Sequence, residues 1–261
     1  MKPSRIGSAL LSSFTLLVCV YLVMPTLAVA PLSITQTDFV VFPPQGFSLR
    51  WYEELFTSDA WRSAMKNSFV TATLTMALAT PIGTLMALGM GRLNGPLSQP
   101  VNVAILLPII VPSIVIAVAM YGLLARANLI GTIPGLVLAH TVLALPFVVI
   151  NVTAIMRKVD PRIEQAARSL GASPLKAFHL VVLPQLMPGV AAGALFAFLI
   201  SFDDVVIALF ISGVSAVTLP VQMWSGIRFE LSPVVAAAST VLLVMSCLLM
   251  VSVRWIRGRQ T

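Results

Sequence analysis

Two adjacent acids, Asp203 and Asp204, interrupt a long apolar run in the stretch "LISFDDVVIALF". A carboxylate at bilayer depth costs about 2.5–3.5 kcal/mol on insertion scales, so such residues face a cavity or a partner charge. One chemistry open to the pair is an anionic lining that replaces the water around an ammonium group. The alternative is structural, an ion pair with Arg126 or Arg228. Helix neighbours point about 100° apart, so the two acids cannot line one narrow path equally. A hydrolytic carboxylate dyad needs convergent side chains, which adjacent helical residues supply poorly. A serine paired with His140 is the other conceivable hydrolytic set. His140 and His179 are the only histidines and lie in different kinds of segment, which excludes a shared metal or catalytic site. His140 is expected to hydrogen-bond between packed helices. Cys19 and Cys247 sit in apolar runs without metal-ligand spacing and are read as packing residues. The chain has no GxxxxGK[ST] loop, so phosphate chemistry must come from elsewhere.

The elements that position these residues are membrane spans. The chain of 261 residues is 58% hydrophobic and 10% charged, with mean hydropathy +0.99. Its 16 Lys and Arg against 9 Asp and Glu form no aromatic-laced patch, which excludes a nucleic-acid surface. A spanning helix needs about 20 apolar residues, and six windows qualify: 8–30, 68–91, 101–124, 130–154, 187–211 and 233–253. The first ends in a signal-peptidase-like Ala28-Val29-Ala30, but its uncharged run exceeds a signal core of about 7–15 residues, so a retained helix is expected. With both termini inside, the inner segments hold Lys2, Arg5, Arg92, Arg157, Lys158, Arg162, Arg168, Lys176, Arg254, Arg257 and Arg259, with the acids Asp160 and Glu164. The outer segments hold Arg50, Arg62, Lys66, Arg126 and Arg228, matched by Asp38, Glu53, Glu54, Asp59 and Glu230. The excess of inner bases sets this orientation. Pro108, Pro112, Pro134 and Pro146 are expected to kink the third and fourth spans. Trp51 and Tyr52 are read as interfacial anchors.

The inner stretch "EQAARSLGASPLKAFHLVVLPQLMPG" breaks the apolar pattern. Asp160 and Pro161 read as N-cap and first helical residue. Ile163, Ala166, Ala167 and Leu170 then make one apolar face, and Gly171 stands where a left-handed residue ends a helix. Ser173-Pro174 restarts the pattern, with Leu175, Phe178 and Val182 as a second stripe, until Pro184 and Pro188 mark entry to the fifth span. Two helices of about ten residues, each about 15 Å long, are too short to cross hydrocarbon. They form either an interfacial hairpin on anionic headgroups or a docking element for a partner.

Glu164-Gln165-Ala166-Ala167, Leu170-Gly171-Ala172, Phe178 and Leu183-Pro184 resemble the EAA loop of type I ABC importer permeases, with Gln165 in place of the first Ala. The resemblance implies an all-α membrane protein over 1–261: six transmembrane helices and a coupling-helix hairpin at 159–186. It assigns ATPase coupling to Glu164, Ala166, Ala167, Gly171, Ala172 and Phe178. Further segments, "GFSLRWYEEL", "NSFVTA", "LPFVVINV", "SFDDVV" and "SPVVAAASTVLLV", resemble the spermidine/putrescine branch, in particular its second permease. The branch implies a small cationic substrate with Asp203 and Asp204 on its path; amino-acid, GABA-like and opine substrates are the alternatives. Where spermidine importers can carry an acid after the proline equivalent to Pro112, this chain has Ser113, favouring fewer positive charges. The implied assembly is a bacterial inner-membrane importer with a second permease, two ATP-binding subunits and a periplasmic solute-binding protein. This chain is expected to bind no cofactor or metal and to perform no catalysis, ATP and Mg being used by the partner ATPase. A secondary transporter would leave the hairpin without a use.

Overall fold

The computed structural model describes residues 5–93, 95–160, 162–229 and 232–258. Lys2, Pro161, Glu230 and Arg259, which entered the reading above, lie outside them, as do the side chains of Arg5, Arg254 and Arg257. Among the described residues there are only helices and connections: α1 (Arg5–Leu32), α2 (Arg50–Thr57), α3 (Asp59–Arg92), α4 (Ser98–Ile110), α5 (Ser113–Arg126), α6 (Ile133–Met156), α7 (Arg162–Ser169), α8 (Pro174–Ala177), α9 (Leu183–Asp203), α10 (Val206–Ile211), α11 (Leu219–Phe229) and α12 (Val234–Gly258). The chain divides into two compact units, Met1–Arg62 with Met223–Trp255, and Ser63–Gln222 with Ile256–Thr261.

In the first unit, the chain leaving α1 is tied down by the residues expected to be interfacial anchors. Trp51 is buried, donates Nε1–H to the Thr35 carbonyl at 2.8 Å, and carries the Arg50 guanidinium 4.2 Å above its ring. Tyr52 Oη meets Ser33 Oγ at 2.7 Å, and Arg50 also pairs with Asp38. Both aromatics therefore spend their polar atoms inside the loop, because the turn after α1 leaves backbone and hydroxyl groups that need partners. Cys19 and Cys247, read as packing residues, are exposed. The apolar surface that a membrane chain leaves open can face lipid at no hydrophobic cost, so burial is not forced on them.

The second unit holds both candidate sites. Among the described residues of the whole chain, four helices are long and apolar enough to cross a bilayer: Leu11–Leu32 of the first unit, and Asp59–Arg92, Ile133–Met156 and Pro174–Asp203. The third window is a broken pair, α4 and α5, bent by 103°, where a kinked single span was expected. Val111 is extended (φ −73°, ψ 132°) because Pro112 excludes the helical region for the residue before it, and the ladder cannot bridge the missing N–H. Pro134 does not kink the fourth span; it lies in the first turn of α6, where Thr132 Oγ1 accepts the Gly135 N–H at 3.1 Å. Pro146 lies inside that helix. The sixth window falls on α12, whose apolar part within the described side chains is Val234–Cys247.

The packing partner of α6 is α9, and the contact is close because the residues are small. A Cβ on Gly193 would lie 3.0 Å from Val148 Cα, so any larger residue would push the two backbones apart by a few tenths of an ångström. Ala79, Ala87, Ala144, Val148, Val149, Val152 and Ala197 form one core cluster here. Small residues serve this purpose in membranes, where lipid is as apolar as leucine and association comes from close contact. A second cluster joins α5, α6 and α10 through Ala117, Leu136, Ala139, Leu143, Ile207 and Ala208. Asn67 and Ser68 of α3 fix the connection before α11, Asn67 Nδ2 donating to the Val217 carbonyl at 3.0 Å and Ser68 Oγ accepting the Leu219 N–H at 2.8 Å.

Candidate functional site

The hairpin is built by its caps. Asp160 Oδ1 accepts the Arg162 N–H at 2.9 Å and so opens α7. At the other end Gly171 has φ +88°; its N–H reaches the Arg168 carbonyl at 3.0 Å, and the Ala172 N–H reaches the Ala167 carbonyl at 3.2 Å. This pair of bonds is a Schellman motif with glycine at its left-handed position. Ser173 Oγ then accepts the Lys176 N–H at 3.4 Å to start α8.

The second short helix does not stop before Pro184. It passes through a π-helical turn, Phe178–Val182, directly into α9, so that Pro174–Asp203 is one helix of 30 residues. A proline clashes with the carbonyl four residues back. Wider i→i+5 bonding, seen in the Leu183 N–H reaching the Phe178 carbonyl, relieves that crowding without ending the helix.

No residue of α7 is buried. Ala166 is exposed, Ala167, Ala172 and Phe178 are half-buried, and Ile163 is more exposed than its place on an apolar face suggests. At the turn Leu170 is 90% and Leu175 69% exposed, a cost in water that marks a surface made for cover. Between the hairpin and the end of α3 lies a concavity of about 920 Å³, lined by Leu85, Leu88, Arg92, Glu164, Leu175 and Phe178 among others. Arg92 pairs with Glu164 at 3.8 Å across it.

The acid pair is divided by the end of α9. Asp203 is its last residue and is exposed; Asp204 is extended (φ −71°, ψ 124°), and its side chain is only 10% exposed. The fifth window is thus not one continuous helix to 211. Asp204 Oδ2 accepts the N–H groups of Ile207 and Ala208 at 2.9 and 3.1 Å, satisfying the first turn of α10. An aspartate that can bond nearby backbone competes with the helix it follows, which is why the ladder stops here. Oδ2 also lies 3.5 Å from His140 Nε2. His140 is fully buried; its Nδ1 is 2.8 Å from Ser201 Oγ, and Ser201 donates to Thr75 Oγ1 at 3.2 Å. The hydrogen-bonded packing role expected of His140 is what the structure shows. Serine, histidine and aspartate do converge, but Ser201 is 3% and His140 0% exposed and the serine proton is given to Thr75. A nucleophile so enclosed cannot reach a substrate.

Residues 79–261 match the family described as "Binding-protein-dependent transport system inner membrane component". The chain belongs to this family. The permease is 31% identical over 256 residues to the spermidine/putrescine transport system permease protein PotC of Escherichia coli strain K12, covering 98% of this chain and 97% of that one. It is 34% identical over 205 residues to the putrescine transport system permease protein PotI of the same strain, covering 76% and 73%. Among solved structures, a bacterial ABC transporter involved in the import of the acidic polysaccharide alginate superposes with a TM-score of 0.75 at 15% identity, covering 97% of the permease and 96% of that chain. That likeness shows the fold, an all-helical ABC importer transmembrane domain.

Sequence reasoning placed Arg92 on the hairpin's side of the membrane without seeing its bond to Glu164. It also missed Ser201 and Thr75 as partners of His140. The permease offered one usable signal for the latter: polar residues at 75, 140 and 201 inside three apolar windows, each needing a partner.

Proposed function

We propose that this chain is the permease subunit of an ATP-driven importer that moves a small cationic solute inward, a polyamine such as putrescine or spermidine. The proposal gives both termini to the cytoplasm. It seats the hairpin on one of two ATP-hydrolysing subunits and pairs the chain with a second permease supplied by a periplasmic solute-binding protein. ATP and Mg belong to the partner subunits. Support for the docking surface comes from the bare turn, Leu170 and Leu175 beside an open concavity. Glu164, Ala166, Ala167, Gly171, Ala172 and Phe178 form or frame that surface.

The observation that carries the substrate reading is the division of the acids. Asp204 is engaged inward, and Asp203 stands exposed at the end of an apolar helix. On this reading Asp203 meets the ammonium group and Asp204 holds the chain break. Ser113, uncharged at the start of α5, favours the substrate with fewer charges, putrescine over spermidine.

The test is uptake of labelled putrescine and spermidine in cells lacking their own polyamine importers, with all subunits co-expressed. Uptake of neither would reject the substrate assignment. Orientation is tested separately with a cysteine at Arg257 and an impermeant thiol reagent. The exposed Cys19 and Cys247 must first be replaced. Labelling of intact spheroplasts from outside would reject the map.

A further inference from the structure

The face of α6 that α4 rests on changes in chemistry along its length. No residue of α4 is buried, and space remains beside its seat. Near the middle of α6 that space is a concavity of about 650 Å³, walled by Met86 and Met90 of α3, Val101 and Ile105 of α4, and Val142 and Leu145 of α6, with only apolar residues and a glycine in its lining. Near the last turn of α6 a second concavity of about 320 Å³ shares Met90 with the first, and Asn102, Thr153 and Arg157 enter its wall. Leu145 and Arg157 are about 18 Å apart along the helix at 1.5 Å per residue. That is close to the depth of one leaflet's hydrocarbon, half of about 30 Å.

The groups at the polar end lack partners. Thr153 Oγ1 is buried and makes no hydrogen bond. Among the described residues no carboxylate lies within ion-pair distance of Arg157. The acids of the adjoining hairpin are engaged elsewhere, Asp160 in opening α7 and Glu164 with Arg92. What fits is a ligand with anionic oxygens at one end and about one leaflet's depth of hydrocarbon behind them. A guanidinium meets a phosphate through paired hydrogen bonds, and basic pockets between spans at a membrane face seat anionic headgroups. A helix of another subunit could fill the apolar part, but it has to bring an acid to Arg157.

We propose that the seam between α4 and α6 is a binding site for one anionic phospholipid of the leaflet on the hairpin's side. An acyl chain lies along Val142 and Leu145, the phosphate meets Arg157, and Asn102 and the Thr153 hydroxyl serve the oxygens of the headgroup and glycerol esters. The bound lipid completes the packing of α4, which buries no side chain of its own, and holds it to α6 on the hairpin's side of the break at Pro112. The site needs only that α6 crosses the bilayer, and it is independent of the solute that the permease moves.

The full chain, with whatever subunits accompany it, is exchanged into mild detergent and titrated with phosphatidylglycerol or phosphatidylcholine, and native mass spectrometry reads the lipid that stays bound. One tight phosphatidylglycerol site per copy of this chain is expected, weakened about tenfold by Arg157→Gln, the scale of one lost charge-assisted contact. Lys158→Gln removes a neighbouring charge that lines neither concavity and should leave the site intact. Equal weakening in both variants would mean general surface attraction and overturns the proposal. Ala104→Phe fills the apolar concavity from α4 with every charge kept, and it is expected to displace the lipid. Should Arg157→Gln fail to accumulate, this variant decides: undiminished binding overturns the proposal. Equal binding of phosphatidylcholine, or no retained lipid in the parent, overturns it as well. In native membranes, a photo-crosslinking side chain in place of Leu106, which also lines the polar end, should label phospholipid. A protein adduct there instead would give the groove to a subunit helix and overturn the lipid assignment.

Discussion

The permease contains two acid–base contacts of similar length in opposite surroundings. Arg92 and Glu164 approach to 3.8 Å with side chains 74% and 30% exposed; His140 and Asp204 approach to 3.5 Å at 0% and 10%. The first bridges an open concavity under a helix with no buried residue, and the second closes a dry polar network between packed helices. Water screens the exposed pair, so it contributes about 0–1 kcal/mol and can be exchanged for another partner. Burial makes the inner contact hard to exchange, because removing one member leaves a polar atom of the other without a partner out of water, at about 1–3 kcal/mol. One region is arranged to let go, the other to hold.

The largest effect should follow from breaking the held pair. Asp204→Ala removes both the partner of His140 and the cap of α10, and a loss of about 2–4 kcal/mol is expected from the two together. Thermal unfolding of the purified protein reads this, and Asp204→Asn should recover part by restoring the cap. Unfolding as stable as the parent would show that the network is not closed.

Gly171→Val attacks the other region. A β-branched residue at φ +88° is strained by about 1–2 kcal/mol, which should redirect the hairpin turn while leaving the spans folded. Uptake should collapse at normal membrane abundance, and co-purification of the ATPase with the variant measures the loss of docking. Retained association and uptake would remove the case for a docking turn.

Asp203→Asn isolates charge from packing. Being exposed, the residue should contribute within about 0.5 kcal/mol to stability, so abundance and melting should match the parent while cation uptake drops. Normal uptake would mean that Asp203 presents no needed charge.

The smallest effect belongs to the loose pair. Arg92→Ala should change stability by at most about 1 kcal/mol and slow uptake only partially. A double charge reversal, Arg92→Glu with Glu164→Arg, should recover the intrachain contact but not docking if Glu164 changes partner. Full recovery of transport by the reversal would make the pair purely internal.

The legibility of these regions in the sequence differed for a physical reason. Asp160, Gly171 and Ser173 act on backbone groups two or three residues away, so cap and turn were visible in the order of letters. The six apolar windows were equally local. His140 and Ser201 are 61 positions apart and Ser201 and Thr75 126 apart; nothing in the chain's order pairs them. The sequence reading offered Arg126 or Arg228 as structural partners of the acids, and the structure brings His140 to Asp204. Proline was half legible. The missing N–H at Pro112 announces that the ladder stops but not that the chain turns by 103°. At Pro184 it suggested a stop, and a π-helical turn carried the helix through.

That uninterrupted passage makes Pro174–Asp203 a lever. Thirty residues at 1.5 Å each give about 45 Å between a turn at one end and a carboxylate at the other. If the rod pivots about its hairpin end, a tilt of about 5° carries the Asp203 end about 4 Å, from the rod's length alone. Within the rod, Phe178–Val182 is where wider backbone rings replace the regular ladder, and a bend would be taken up there. Those five residues are its gearbox: stiffening them would transmit tilt in full, and softening them would let the hairpin move while the acid stays still.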